Sequence, residues 1–152
     1  IFRPHPLDLT LKENFKKIKK IVEKYENNSN FFYDNSHSYM DSYSRAKMLI
    51  TDFSGTAYTF AYSTLRPVIF FSKNENKFAK TKIVDLFYYK DRALVGLVSQ
   101  NINQLLNSIA KINKRKEYNK NKIFNLRKKR IKYVKVSLDQ TIMQILKICK
   151  KI

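Results

Sequence analysis

Two short apolar runs, Met48-Leu49-Ile50 and Val68-Ile69-Phe70-Phe71, bracket a stretch of small and apolar residues that continues from Ser54 to about Ser63. Runs this short suit strands buried on both faces, and the stretch between them is long enough for a helix. Strand, helix, strand is the unit from which parallel sheets are built, so this one segment restricts the chain to few architectures.

The alternation extends in both directions. Leu11, Phe15, Ile18, Val22 and Tyr25, with lysines between them, predict an amphipathic helix over 11–26. Phe31-Phe32-Tyr33 reads as a buried strand, Pro67 introduces the strand at 68–71, and Ala93 to Ser99 reads as another strand. Ile102, Leu105, Leu106, Ile109 and Ile112 mark a helix after it, whereas residues 82–89 fit either element. Ser137 and Gln140 form a capping box for a last helix carrying Leu138, Ile142, Leu146 and Cys149. The expected fold class is α/β, with a Rossmann-like, mainly parallel sheet. Residues 1–152 are expected to form a single domain, with basic C-terminal helices over about 101–152. The opening Ile1-Phe2 reads as the end of a strand, and a longer natural protein is expected to precede it.

Length and composition set outer limits. A chain of 152 residues buries about two-thirds of its unfolded surface, enough for a real core. One cysteine, Cys149, makes no internal disulfide, which points to a reducing, cytoplasmic compartment. No apolar run approaches the roughly 18 residues of a membrane span. The formal charge of +19 attracts nucleic acid, anionic lipid headgroups or phosphorylated molecules without choosing among them. Eleven of the basic residues lie between Lys111 and Lys132, against the single acidic Glu117, a distribution that also fits a solvated helical face.

Two short motifs carry the chemistry. In Arg3-Pro4-His5-Pro6 the prolines disfavour helical geometry at Arg3 and His5, so a cation and an imidazole are held in set directions. Such a loop suits a phosphate, although a lone histidine is also commonly structural. The second motif is Asp52-Phe53-Ser54-Gly55-Thr56. If a strand ends near Thr51 and a helix starts near Ser54, the amides of Gly55, Thr56 and Ala57 are free to bind an anion, assisted by the helix dipole. Gly55 is one of two glycines in a chain where average usage of about 7% would supply roughly ten. It removes a Cβ from the path of the ligand, while the Ser54 and Thr56 hydroxyls add hydrogen bonds. The plainer alternative makes Ser54 an N-cap and Gly55 a turn residue. Together the loops suit one diphosphate, with Asp52 orienting His5 or a backbone amide. No cluster of histidine and acidic residues has metal-ligand spacing, and no cofactor is expected.

With these residues in view, "RPHP" followed by "MLITDFSGTAYTFAYSTLRPVIFF" resembles the C-terminal, donor-binding half of the CDP-glycerol:poly(glycerophosphate) glycerophosphotransferases and related capsule and teichoic-acid enzymes. The resemblance covers about residues 1 to 72 and continues more loosely through residues 91–109. It implies one half of a GT-B fold, with the donor diphosphate bound by Arg3 and His5 and, from the facing loop, by Ser54, Gly55 and Thr56. The catalytic base is then expected in an N-terminal domain outside this chain, with His5 as the alternative within it. Thr59 stands where related enzymes carry an acid that grips the ribose, and Glu75 is the candidate replacement. The donor is accordingly expected to be CDP-glycerol, CDP-ribitol or a nucleotide sugar bearing CDP or UDP. The expected acceptor is a polymer or lipid-linked chain reached at the inner face of the cell membrane. A UDP-sugar glycosyltransferase or epimerase-like domain is the nearest alternative. A nucleic-acid-binding module, suggested by charge and by ten tyrosines and eleven phenylalanines, is disfavoured because most of the aromatics fall inside strand or helix runs.

Overall fold

The computed structural model describes residues 1–78, 80–114 and 120–131. The C-terminal helix expected from Ser137 onward, with Cys149, lies outside them. The chain forms two compact units, Ile1–Ala46 and Lys47–Ile152.

In the first unit, α1 (Pro6–Thr10) and α2 (Lys12–Tyr25) pack on each other, and α3 (Met40–Arg45) follows a long loop. Proline at the first helical position and an extended His5 as N-cap start α1, a short helix that the apolar spacing did not indicate. Ile18 is buried on α2, whereas Leu11, Phe15 and Tyr25 of the same apolar stripe remain exposed. Phe2, Tyr25, Phe31 and Tyr33 gather in a small aromatic cluster. Here the strand expected at Phe31–Tyr33 reduces to a single parallel bridge between Phe2 and Tyr33. Phe32 is 47% exposed, so a run of three aromatics is not a run of three core residues.

The second unit is built on a three-stranded parallel sheet in the order β1 (Leu49–Thr51), β2 (Val68–Phe71), β3 (Gly96–Ser99). Val68, Ile69 and Phe70 of the central strand are buried on both faces, as the unbroken apolar run requires. α4 (Thr56–Thr64) connects β1 to β2 and packs against both strands, contributing Ala57, Tyr58, Phe60 and Ala61 to the core. It ends at Leu65, whose φ of 55° puts it in the left-handed region, and β2 begins after Pro67. α8 (Ile102–Lys114) packs on β2 and β3, bringing Leu105, Ile109 and Ile112 onto Ile69. The sequence pattern thus recovers β1, α4, β2 and α8 nearly to the residue.

Between β2 and β3 the chain forms α5 (Glu75–Phe78), a 3-10 turn (Lys82–Asp85), α6 (Phe87–Lys90) and α7 (Arg92–Val95). The strand expected over 93–99 is shorter than its apolar run, because Ala93, Leu94 and Val95 belong to α7 and the ladder starts at Gly96. Gly96 meets Val68 so closely that a Cβ would stand 1.7 Å from the Val68 carbonyl oxygen. The basic segment supplies α9 (Lys120–Arg130), whose Ile123 and Leu126 are buried and which packs on α4 and α7. Two ties fix it: Arg130 makes a two-pronged ion pair with buried Asp91, and the Arg127 Nη1 donates to the Tyr62 carbonyl at 2.9 Å.

Candidate functional site

The Ser54–Thr56 turn stands beyond the carboxyl end of β1, the position at which parallel α/β sheets bind ligands. Gly55 is the N-cap of α4 in ordinary right-handed geometry, φ −60°. Two of the three amides expected to be free are capped by Ser54: its Oγ accepts from the Thr56 amide at 3.3 Å and its carbonyl from the Ala57 amide at 3.2 Å. A serine at a helix start supplies its own acceptor, so the turn is preformed rather than held open. Nothing lies within 4 Å of the place where a Gly55 Cβ would sit. Gly55, Thr56 and Asp52 are exposed, and Ser54 is half-buried.

From Gly55 an open groove of about 530 Å³ runs along α4, lined among others by Thr59, Tyr62, Tyr88, Arg127 and Arg130. The Tyr62 hydroxyl and the Arg127 Nε are buried beside it without a hydrogen-bond partner among the described residues. Burial, with the nearby Asp91 charge, pushes the Tyr62 phenol up to about 12. Sequence reasoning missed these two, having read the basic run as a solvated face. The signal was present: Ile123, Leu126, Arg127 and Arg130 share one helical face at spacings of three and four.

Glu75, the candidate ribose contact, is tied into the chain at the start of α5. Both its carboxylate oxygens face the Arg92 guanidinium, and Tyr89 donates to Oε1 at 2.5 Å. The Arg92 hydrogen bonds outweigh burial and, with Tyr89 and Ser72, hold Glu75 down at about 2. Both carboxylate oxygens of Glu75, the candidate to stand in for Thr59, are thus engaged within the chain by Arg92 and Tyr89.

In the first unit, Arg3 is directed inward. Its Nη1 donates to Asp34 Oδ2 at 2.7 Å, and its two Nη atoms also reach the carbonyls of Ser36, His37 and Ser38. Asp34, 6% exposed, also accepts from Ser36 and Ser42. Burial would raise its pKa, but these hydrogen bonds hold the carboxyl far below the usual range. Arg3 therefore ties the 34–38 loop together. His5 is different: it is exposed, and its Nδ1 accepts the Leu7 amide at 3.2 Å as the cap of α1. An accepting Nδ1 leaves the ring proton on Nε2, which makes that atom a donor.

Among the described residues, no three His, Cys, Asp or Glu side chains gather to hold a metal ion. Nor is any of the described helices long and apolar enough to cross a membrane.

A three-stranded parallel sheet with helices packed on it is a Rossmann-like α/β fragment. The family model of the CDP-glycerol:poly(glycerophosphate) glycerophosphotransferases matches residues 1–146, and the chain belongs to that family. Its function is accordingly of the glycerophosphotransferase type, with a CDP-linked or nucleotide-sugar donor and a polymer acceptor. Neither the curated proteins nor the solved structures returned a match.

Proposed function

We propose that this chain is the donor-binding half of a transferase that moves a glycerol-phosphate or related polyol-phosphate unit from a CDP-linked donor to a growing teichoic-acid-like polymer. The observation that carries the proposal is the contrast between the two glycines. Gly96 is demanded by the sheet, since a side chain there would collide with Val68. Gly55 has ordinary backbone angles and open space around it, so neither strain nor packing within the chain requires a glycine. A ligand lying over the start of α4 does require one, because an anion must approach the backbone closely.

In this reading the diphosphate sits over Gly55 and Thr56, and the rest of the donor follows the groove past Thr59 toward Arg127. Arg127 and Arg130 line this groove and give it the positive charge that such a ligand needs. Asp52 stays clear of the like-charged group. The basic surface steers the anionic acceptor, at the inner face of the membrane, toward the protein.

Titration of the chain with CDP, UDP and CDP-glycerol tests the proposal and ranks the donors. Gly55→Val is expected to weaken binding of the preferred ligand by about tenfold or more, with the double change of Lys128 and Lys129 to Ala as the unaffected control. Equal losses from both would sink the assignment.

A further inference from the structure

The Glu75–Arg92 pair has a consequence for the turn that precedes α4. Arg92 is 3% exposed, and its guanidinium lies over the Tyr89 ring at 3.8 Å and near the rings of Phe53 and Phe70, each at 5.8 Å. Phe53 is the residue immediately before Ser54. Its ring also packs against Phe78 of α5 at 6.0 Å and Tyr89 of α6 at 6.2 Å. One buried cation therefore touches the segments after β1, after β2 and before β3, and it is fixed there by a two-pronged carboxylate.

We propose that Arg92 and Glu75 are positioning residues, whose ion pair clamps Phe53 and thereby holds the Ser54–Thr56 turn in the orientation that receives the ligand. The inference rests on the reading of that turn as the diphosphate site. Neither residue touches the ligand. Arg92 acts through the Phe53 ring, and Glu75 acts through Arg92. The geometry needs arginine: lysine keeps the charge but loses the fork that meets both Glu75 oxygens and the flat face that stacks on Tyr89. Ring and guanidinium contacts of this kind are strongest when desolvated, as Arg92 is here, and so favour one pose of a short turn.

The test compares Arg92→Lys and Glu75→Gln with wild type by amide hydrogen exchange and by CDP titration. Exchange is expected to accelerate about tenfold at Phe53 to Ala57 while the β2 amides keep their protection, and CDP affinity is expected to fall by a similar factor. Uniform acceleration that includes β2 would show a merely structural pair and overturn the inference, as would unchanged exchange at 53–57. Should one variant fail to fold, the other decides by the same criteria. The exchange arm needs no ligand: if wild type binds none of the nucleotides, the donor reading fails, and the clamp on the turn is still judged by exchange alone.

Discussion

Gly96 and Val68 face each other across β2 and β3 at a separation that leaves no room for a Cβ on Gly96. The backbone at Gly96 is fully extended, which any residue adopts, so the requirement is one of space alone. Gly96→Ala is therefore expected to force the strands apart and cost about 3 kcal/mol, while Gly55→Ala stays within about 1 kcal/mol of wild type. Urea unfolding of the two variants checks this, and a mild Gly96→Ala would contradict the close approach.

The second prediction concerns acid. Glu75 ordinarily titrates at 4.5 and is held at about 2 in the folded chain. A depressed folded value means that the pair's stability is present above pH 4.5 and is lost as the pH falls toward 2. The expected loss across that window is about 2 kcal/mol. Glu75→Gln is expected to start less stable at neutral pH and to show a flatter decline, read by thermal melts between pH 5 and 2 after subtraction of the shared background.

Asp34 is expected to matter to the first unit as a structural acid. Asp34→Ala removes the acceptor of Arg3, Ser36 and Ser42 at once and strands a guanidinium, at a cost of about 3 kcal/mol. Proteolysis within residues 34–38 should become faster. An unchanged cleavage rate would mean that the loop holds itself without the carboxylate.

His5 offers a cleaner separation of structure from binding. Asparagine places an acceptor near the position of Nδ1 and so keeps the cap on the Leu7 amide, but has nothing at the position of Nε2. His5→Asn is expected to leave the melting temperature in place and to weaken CDP binding about fivefold or more. Loss of stability with intact affinity would make His5 a cap and nothing else.

The elements legible in the sequence are those whose pattern is local. β1, α4 and β2 follow from two apolar runs around a helical stretch, and α8 from its stripe of Leu105, Ile109 and Ile112. Legibility ended where distant residues complete one another. Arg3 looked like a free cation because Asp34, 31 residues on, is invisible to local spacing, and Glu75 looked like a free acid because Arg92 lies 17 residues on. The run Ala93-Leu94-Val95 was misread for the same reason: an apolar trio fits a helical turn as well as a strand, and only the meeting of Gly96 with Val68 marks where the ladder begins.

Leu65 limits how far the unit can adjust to what it binds. Its left-handed backbone reverses the chain within residues 65–67, so α4 is strapped to β2 by a link with almost no slack. A helix on so short a tether has no freedom to slide along its axis to suit a larger or smaller guest. The link from β2 to β3 is longer and is held by side chains instead, through Glu75, Tyr89 and Arg92. The strand–helix–strand unit is thus a stiff base, and any adjustment to a guest falls to the side chains and turns around it.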